Sequence, residues 1–423
     1  MIAEKSHIAQ FLIDKISGTA EKVNFINDSA LTKALLFLEN KGIPNNKHED
    51  YKYCNLDATF KKEFKALSQQ LNTVSSINEF KLEDTLTLVV INGNYSESLS
   101  DKIILKGLHI NAFTNLDEGG KSILASQANV EKDAFIAMNT AFSGHGFHLK
   151  VEKNSQLQIP IHIIYVSSSD EQAFTNPRNI IEVCENAEAT IIEHQITLGK
   201  GKTFTNFLSE KLVKDNAKLT SYTIQDEREN GYSVNTNQVK INRNSTYDNT
   251  TIILSGQLVR NNHNVVISGE NATAHLNGLF VTSETQLVDN HTLMDHQVPN
   301  CESNELYKGI INDKSTAVFN GKIFVRRDAQ KTNAYQSSKN ILLSDDATIN
   351  TKPELEIYAD DVKCSHGTST GKIDDEAMFY LNARGIGKET AKRILLNAFA
   401  KEVIDKIEIE SLKNLVETKL GFN

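Results

Sequence analysis

The chain has 423 residues, of which 23% are charged and 39% hydrophobic, a composition typical of a folded protein and unlike that of a disordered one. Its 54 acidic and 45 basic side chains give a net charge of −9, which argues against a broad electrostatic surface for nucleic acid or for an anionic membrane. The length predicts two or three domains or one elongated repeat array.

The N-terminal stretch is amphipathic and charged throughout, so it lacks the apolar run of a signal peptide. No part of the chain approaches the roughly 18 uninterrupted apolar residues of a membrane span. We therefore expect a cytoplasmic protein with reduced thiols and no membrane partner. The four cysteines, Cys54, Cys184, Cys301 and Cys364, form no C-x-x-C pair, which excludes a zinc knuckle, a thioredoxin-type motif and a self-contained cysteine cage for a metal cluster.

Three regions with different periodicity follow one another along the chain. Residues 1–80 have the apolar spacing of helices, residues 81–370 consist largely of short runs rich in Val, Ile and Thr, and residues 371–423 return to helical spacing. We therefore predict an N-terminal helical region, a β core and a C-terminal helical region with these boundaries. The apolar positions of the first region are Ile8, Phe11, Leu12 and Ile16, followed by Leu31, Ala34, Leu35 and Leu38 before Gly42.

A repeat within the β region predicts its architecture. A polar turn that ends in a small residue precedes a strand seven times, and the small residues are 32, 30, 28, 27, 43 and 32 positions apart. A period near thirty is typical of a parallel β-solenoid, in which each coil buries its inner face by stacking on its neighbours. A large irregular β-sandwich is the alternative. The end strands of a solenoid have unpaired backbone groups, so a cap or a partner protein is expected there. The turns are Asn154-Ser155, Asn186-Ala187, Asn216-Ala217, Asn244-Ser245, Asn271-Ala272, Lys314-Ser315 and Asp346-Ala347.

Two groups of polar residues in the C-terminal third are candidates for a site. The spacing of His275, His291 and His296 matches no standard set of metal ligands, and we predict that they satisfy hydrogen bonds in polar turns. Cys364 and His366 differ, because residues i and i+2 of an extended chain share a face and would bring together a pair suited to iron or sulfur. Two ligands are an incomplete site, so others would come from elsewhere in the chain or from a second subunit. A buried cysteine beside a hydrogen-bonded histidine is the alternative, and spacing alone favours it.

The residues around this pair carry a family signature. Residues 352–367 read KPELEIYADDVKCSHG, and residues 375–381 (DEAMFYL) and 384–386 (RGI) follow. This sequence resembles the SufD branch of the SufB/SufD family of iron–sulfur cluster assembly proteins, and it lacks the acidic residue beside a histidine that SufB-type sequences have in this region. The likeness is dense over residues 275–399 and sparser upstream, where residues 49–53 contain tyrosine in place of the family's usual tryptophan.

The resemblance implies a right-handed parallel β-helix between helical regions, and a subunit that is not an enzyme. Its implied partners are a SufB-type β-helix protein and a SufC-type ABC ATPase, with a homodimer when SufB is absent. His366 would face the junction with SufB and assist a nascent iron–sulfur cluster held transiently at that interface. Cys364 lies in the same motif, and the chain alone would bind no cofactor.

The C-terminal sequence predicts two helices beyond this motif. Asp374 can cap a helix that runs to about Arg384, and a second helix is expected over residues 388–400 with Ala398 on its apolar face. In the family this segment docks on SufC. The docking candidates are Ile386, Ala391, Ile394, Leu395 and Phe399.

Two other functions use the same sequence features. Residues 384–395 also resemble a helix-hairpin-helix, which holds a DNA phosphate. However, seven bases meet six acids from Gly385 to the end of the chain, so nucleic-acid binding is disfavoured. Parallel β-helices also serve as polysaccharide lyases or hydrolases, which need clustered carboxylates or a basic residue along a groove. The chain has no glycine-rich phosphate loop, so ATP would belong to the partner, and a flavin held by the assembled complex stays an open question.

Overall fold

A computed structural model describes residues 26, 28–64, 74–142 and 144–422. Helix α1 (Asp28–Lys41) has the predicted apolar spacing, since Ala34 and Leu38 are buried and Leu31 and Leu35 pack against the same cluster. It ends at Gly42, whose φ of +66° is the left-handed conformation that glycine favours. Helix α2 (Leu56–Glu63) begins after Asn55, whose side chain accepts a hydrogen bond from the Ala58 amide at 3.1 Å. The earlier helix predicted from Ile8 to Ile16 lies outside the described residues.

Strands form most of the rest of the chain, with helices α3 (Glu118–Ile123) and α4 (Ala134–Phe142) between the third and the fourth strand. The strands are β1 (Leu86–Ile91), β2 (Asn94–Tyr95), β3 (Leu108–Ala112), β4 (Phe147–Val151), β5 (Ile161–Ser168), β6 (Ala173–Thr175), β7 (Arg178–Val183), β8 (Glu188–Leu198), β9 (Thr203–Val213), β10 (Lys218–Asp226), β11 (Gly231–Ile241), β12 (Thr246–Ser255), β13 (Leu258–Ile267), β14 (Thr273–Thr282), β15 (Leu287–His296), β16 (Glu302–Ile311), β17 (Thr316–Val325), β18 (Asn333–Leu342), β19 (Thr348–Ile357) and β20 (Lys363–Gly371).

These strands form the predicted parallel β-solenoid. Sheet A has the order β2-β1-β5-β8-β10-β12-β14-β16-β18-β20, and sheet B has the order β19-β17-β15-β13-β11-β9-β7-β4-β3. From β7 onward consecutive strands alternate between the two sheets, and successive strands of sheet A are offset by 30, 28, 27, 29, 31 and 30 residues. The side chains between the sheets form one continuous apolar core with polar residues interspersed. The solenoid is therefore confirmed, and the β-sandwich alternative is wrong.

A column of asparagines forms the turns before the strands of sheet A. Asn154, Asn186, Asn216, Asn244 and Asn271 have φ values of 54° to 63°, a region that asparagine tolerates better than most residues. From Asn186 onward, each Nδ2 group donates to the Oδ1 atom of the asparagine one coil earlier, at 2.8 to 3.2 Å. These side chains therefore link successive coils along the outside of the solenoid.

The 43-residue step in the sequence repeat comes from a change of column. The asparagine column continues at Asn300 and Lys331, with φ values of 61° and 60°, where the sequence count found no turn. The turns predicted next from the sequence end at Ser315 and Ala347, and these residues precede β17 and β19, which belong to sheet B. From β5 to β20 the coil length is thus close to thirty residues.

The start of the β region departs from the predicted run of strands. The Asn92-Gly93 pair turns an antiparallel hairpin between β1 and β2, with φ values of 51° and 90°. Helices α3 and α4 lie on sheet B, and eight of the nine residues of α4 are buried. Because α4 is apolar on nearly every side, its sequence lacks the amphipathic spacing by which a helix is recognised.

Helices α5 (Asp375–Ala383), α6 (Lys388–Ile404) and α7 (Glu410–Lys419) end the chain. Asp374 caps α5 as predicted by accepting hydrogen bonds from the amides of Glu376 and Ala377. The second half of α6 and the apolar side of α7 pack on the outer face of sheet A; their buried residues are Ala400, Val403, Ile404, Leu412 and Val416. No helix in the described ranges combines the length and hydropathy required to cross a lipid bilayer.

Candidate functional site

The C-terminal end of the solenoid exposes the edges of two strands. Within the described residues, β19 pairs only with β17, and β20 pairs only with β18. No residue of β19 or β20 is fully buried, whereas the inner strands contain alternating buried positions. The free N–H and C=O groups of such edges can pair with a strand of another protein. This end of the molecule therefore has the geometry of an interface.

Cys364 and His366 lie on β20 at this open end. Cys364 is in register with Ala334 of β18 and His366 with Gln336, and both of these partners are buried. The i, i+2 spacing therefore places the two side chains on one face, that of the solenoid interior. Cys364 is half-buried against the core, and burial raises its pKa, so its thiol form predominates at neutral pH. His366 is exposed because no further coil within the described residues covers it.

The pair provides two donors and no more. In the described parts of the chain, no group of three or more His, Cys, Asp or Glu side chains lies close enough to hold a metal ion. An iron or sulfur species at this end would accordingly need additional ligands from a second protein.

The three other histidines form hydrogen bonds, but they lie on strands rather than in the predicted turns. On β14, His275 Nδ1 is 2.6 Å from Asp248 Oδ1 of the neighbouring coil. On β15, His291 Nε2 is 3.1 Å from Arg260 Nη1 of the neighbouring coil, and His296 Nε2 is 2.9 Å from Ser303 Oγ. In a solenoid each strand has neighbours one coil before and after it, so a polar side chain on a strand finds partners that a single-sequence pattern does not reveal.

The five predicted docking residues of the C-terminal region differ in exposure. Ala391 is fully buried, and Phe399 packs on its own chain, where Lys308 Nζ donates to the Phe399 carbonyl at 2.7 Å. Ile386 and Leu395 are half-buried, while Ile394 is 41% exposed. Ala391 and Phe399 therefore help to hold α6 in place, and Ile394 is the most accessible of the five. Their docking role stays a prediction.

Sequence reasoning did not single out a group of exposed aromatic side chains near the open end. Phe379 and Tyr380 on α5 are 74% and 54% exposed, and Tyr358, just after β19, is 58% exposed. The signal was present, because Met378, Phe379 and Tyr380 are consecutive, and three consecutive residues of a helix cannot all face its packed side. These aromatic residues add apolar surface to the exposed end.

Comparison with known proteins gives matches along nearly the whole chain. Residues 165–399 match the model of the SufBD core domain of the SUF system for FeS cluster assembly, and residues 3–163 match that of the SufBD protein N-terminal region. An iron–sulfur cluster assembly SufBD family protein of Synechocystis is 29% identical, over 88% of this chain and 85% of that protein. The chloroplastic protein ABCI7 of Arabidopsis thaliana is 29% identical, over 88% and 80%.

The chain belongs to the SufBD family of iron–sulfur cluster assembly proteins. Within that family it is SufD-like: the iron–sulfur cluster assembly protein SufD of Escherichia coli is 30% identical over 383 residues, which are 90% of this chain and 89% of that protein.

Proposed function

We propose that the protein is a non-catalytic scaffold subunit of a SufBCD-type complex, and that this complex assembles iron–sulfur clusters in the cytoplasm. It pairs with a SufB-type β-helix protein through the open end of the solenoid. It pairs with a SufC-type ABC ATPase through the C-terminal helices. The nascent cluster is the cargo of this complex and is held transiently at the junction of the two β-helix subunits.

The open strand edges with Cys364 and His366 are the observation that carries this proposal. Among the described residues β19 and β20 have no further strand to pair with, so a strand of another chain can continue their backbone pairing, and a partner bound there would cover His366. His366 offers an exposed imidazole, a ligand type suited to iron, whereas burial raises the pKa of Cys364 and favours its less reactive thiol form. His366 is thus the better candidate for contact with the cargo.

The C-terminal helices suit a moving connection to an ATPase. The second half of α6 is anchored on sheet A through Ala400, Val403 and Ile404, while the first half carries the accessible Ile394. A partner bound to the first half would therefore act on the solenoid through a helix of about four and a half turns.

The test of the cluster-binding end is His366→Ala in the reconstituted complex. We expect the variant to bind SufB and SufC as the wild type does and to form clusters more slowly, measured as iron and acid-labile sulfide per complex. An unchanged cluster yield would remove His366 from the proposal, and loss of SufB binding would assign it a structural role instead.

The ATPase interface is tested with Ile394→Glu. The accessible position should accept the charge without loss of folding, and affinity for SufC should fall about tenfold or more because an interface apolar contact is replaced by a buried charge. Asn414→Glu, at an exposed position of α7, is the control and should leave the affinity unchanged. Equal affinities for both variants would place SufC elsewhere on the surface.

A further inference from the structure

A column of polar side chains continues from His366 into the solenoid. In sheet A, His366 on β20 is in register with Gln336 on β18, and Gln336 is in register with Glu305 on β16. Residues in register on adjacent parallel strands point to the same face and lie about 4.8 Å apart. Gln336 is 3% exposed and Glu305 is fully buried, so the column reaches the surface only at His366.

Gln336 has unused hydrogen-bonding capacity although it is buried. Its Nε2 and Oε1 atoms both lack a hydrogen-bond partner among the described residues, and so does Glu305 Oε1. Leaving such a buried atom unpaired costs stability, so native proteins rarely keep one without a reason. The other oxygen of Glu305 is fixed, because Oε2 accepts a hydrogen bond from Thr292 Oγ1 at 2.5 Å.

The fold makes room for the Gln336 amide in this column. At Gly321 on β17, a Cβ atom would lie 2.3 Å from Gln336 Nε2, so a larger residue would displace the amide. The amide also approaches Glu305 closely enough to oppose the rise that burial causes in the pKa of that carboxyl, although its geometry falls outside that of a full hydrogen bond. The amide thus lies between a buried carboxyl group and the last side chain of the column.

We propose that Gln336, supported by Glu305, is a positioning residue for His366. Gln336 Nε2 donates to Glu305 Oε1, and Gln336 Oε1 accepts the N–H group of the imidazole. The second ring nitrogen of His366 then presents its lone pair outward. Imidazoles that bind metal ions commonly have this arrangement, in which the far nitrogen donates to a fixed acceptor.

The inference rests on the proposed function where it gives His366 a part in cluster assembly, but the hydrogen bond can be tested without that function. In the full-length chain labelled with 15N-histidine at about pH 8, an exposed imidazole is neutral, and its ring nitrogens report the tautomer. His366→Asn assigns the signal. We expect one dominant tautomer in the wild type and a mixture in Gln336→Met, which keeps the side-chain length but removes both polar atoms.

Ser337→Ala is the matched control, since Ser337 is the next residue of β18 and points to the opposite face. It should keep the wild-type tautomer. An unchanged tautomer in Gln336→Met would overturn the inference. If that variant fails to fold in a thermal melt, Gln336→Asn replaces it, because the shorter amide cannot reach His366 and should give the same mixture; a wild-type tautomer there would overturn the inference equally.

The reconstituted complex separates this inference from the proposed function. Gln336→Met should slow cluster formation about 10-fold to 100-fold, the usual effect of removing an outer hydrogen-bond partner of a metal ligand, and should have no further effect once His366→Ala is present. If Gln336→Met changes the tautomer of His366 but His366→Ala forms clusters at the normal rate, the hydrogen bond is supported and the proposed role of His366 in cluster assembly is contradicted. Additive losses would contradict the positioning role.

Discussion

Lys308 joins helix α6 to the solenoid, and its removal tests how firmly that helix is held. The side chain leaves the outer face of β16 and is almost completely buried. Lys308 Nζ donates to the Phe399 carbonyl at 2.7 Å, lies 4.5 Å from the centre of the Phe399 ring, and pairs with Glu402 at 2.5 Å. Lys308→Met keeps the aliphatic part of the side chain and removes all three polar contacts.

The expected loss follows from these contacts. A hydrogen bond from a charged donor contributes about 1.5–3 kcal/mol, and a largely desolvated cation–π contact about 1 kcal/mol. The ion pair adds little, because the Glu402 side chain is half exposed and solvent screens it. Relief from burying the ammonium group offsets part of this sum. We therefore expect a net loss of about 2 kcal/mol in the free energy of opening the second half of α6, or roughly a 30-fold change in the opening equilibrium.

Hydrogen exchange measured by mass spectrometry checks this value. Amides of residues 396–404 should exchange about 30-fold faster in Lys308→Met, while those of β8 to β12 should be unchanged. Lys339→Met is the control, since Lys339 also pairs with Glu402, at 3.4 Å, but its side chain is about half exposed. It should change the exchange less than about threefold. Equal protection of α6 in Lys308→Met and the wild type would refute the reasoning and leave the apolar contacts as the anchor.

Three further outcomes are expected. Glu210→Gln should destabilise the loop before α4 by about 3 kcal/mol, measured as faster hydrogen exchange over residues 124–130. The reason is that the buried Glu210 carboxylate pairs with Arg178 at 2.7 Å and accepts hydrogen bonds from the amides of Ala125, Gln127 and Ala128. Asn216→Ala should lower the unfolding free energy in urea more than Asn216→Gly does, by about 1 kcal/mol, because only alanine is strained at a φ of 58°. Burial lowers the pKa of His194 to about 4, so the folded state binds fewer protons than the unfolded state between about pH 4 and pH 6.5. The free energy of unfolding should therefore decrease as the pH falls through this window, and His194→Phe should remove the part of the decrease that His194 causes.

The architecture could be predicted because a solenoid repeats its sequence requirements. A polar turn, a small residue and a strand recur with each coil, and the asparagines that adopt positive φ are the residues that tolerate it. The phase of the repeat was harder to follow, since Cys301 and Thr332 stand where earlier coils have serine or alanine. Side chains of different identity can occupy one structural position when the hydrogen bonds of that position involve the backbone.

The sequence predicted only those features of the site that depend on residues close together in the chain. The i, i+2 spacing of Cys364 and His366 fixed their common face, and the Asp374 cap was evident from the sequence. The relation of His366 to Gln336 depends on a register between strands thirty residues apart, which no local pattern encodes. The burial of Ala391 and the exposure of Ile394 likewise depend on which side of α6 meets sheet A, and helical spacing alone cannot decide that.

The contact that holds α6 and the polar column that leads to His366 meet on strand β16. β16 carries Lys308 on its outer face, against α6, and Glu305 on its inner face, at the base of the column that leads to His366. Strand residues three apart lie on opposite faces and about 10 Å from each other, so a force on α6 reaches β16 without passing through a loop. In the proposed complex, a displacement of α6 by the ATPase would therefore first move β16. Because Glu305 on β16 supports Gln336, this movement would shift Gln336 and the His366 imidazole at the open end.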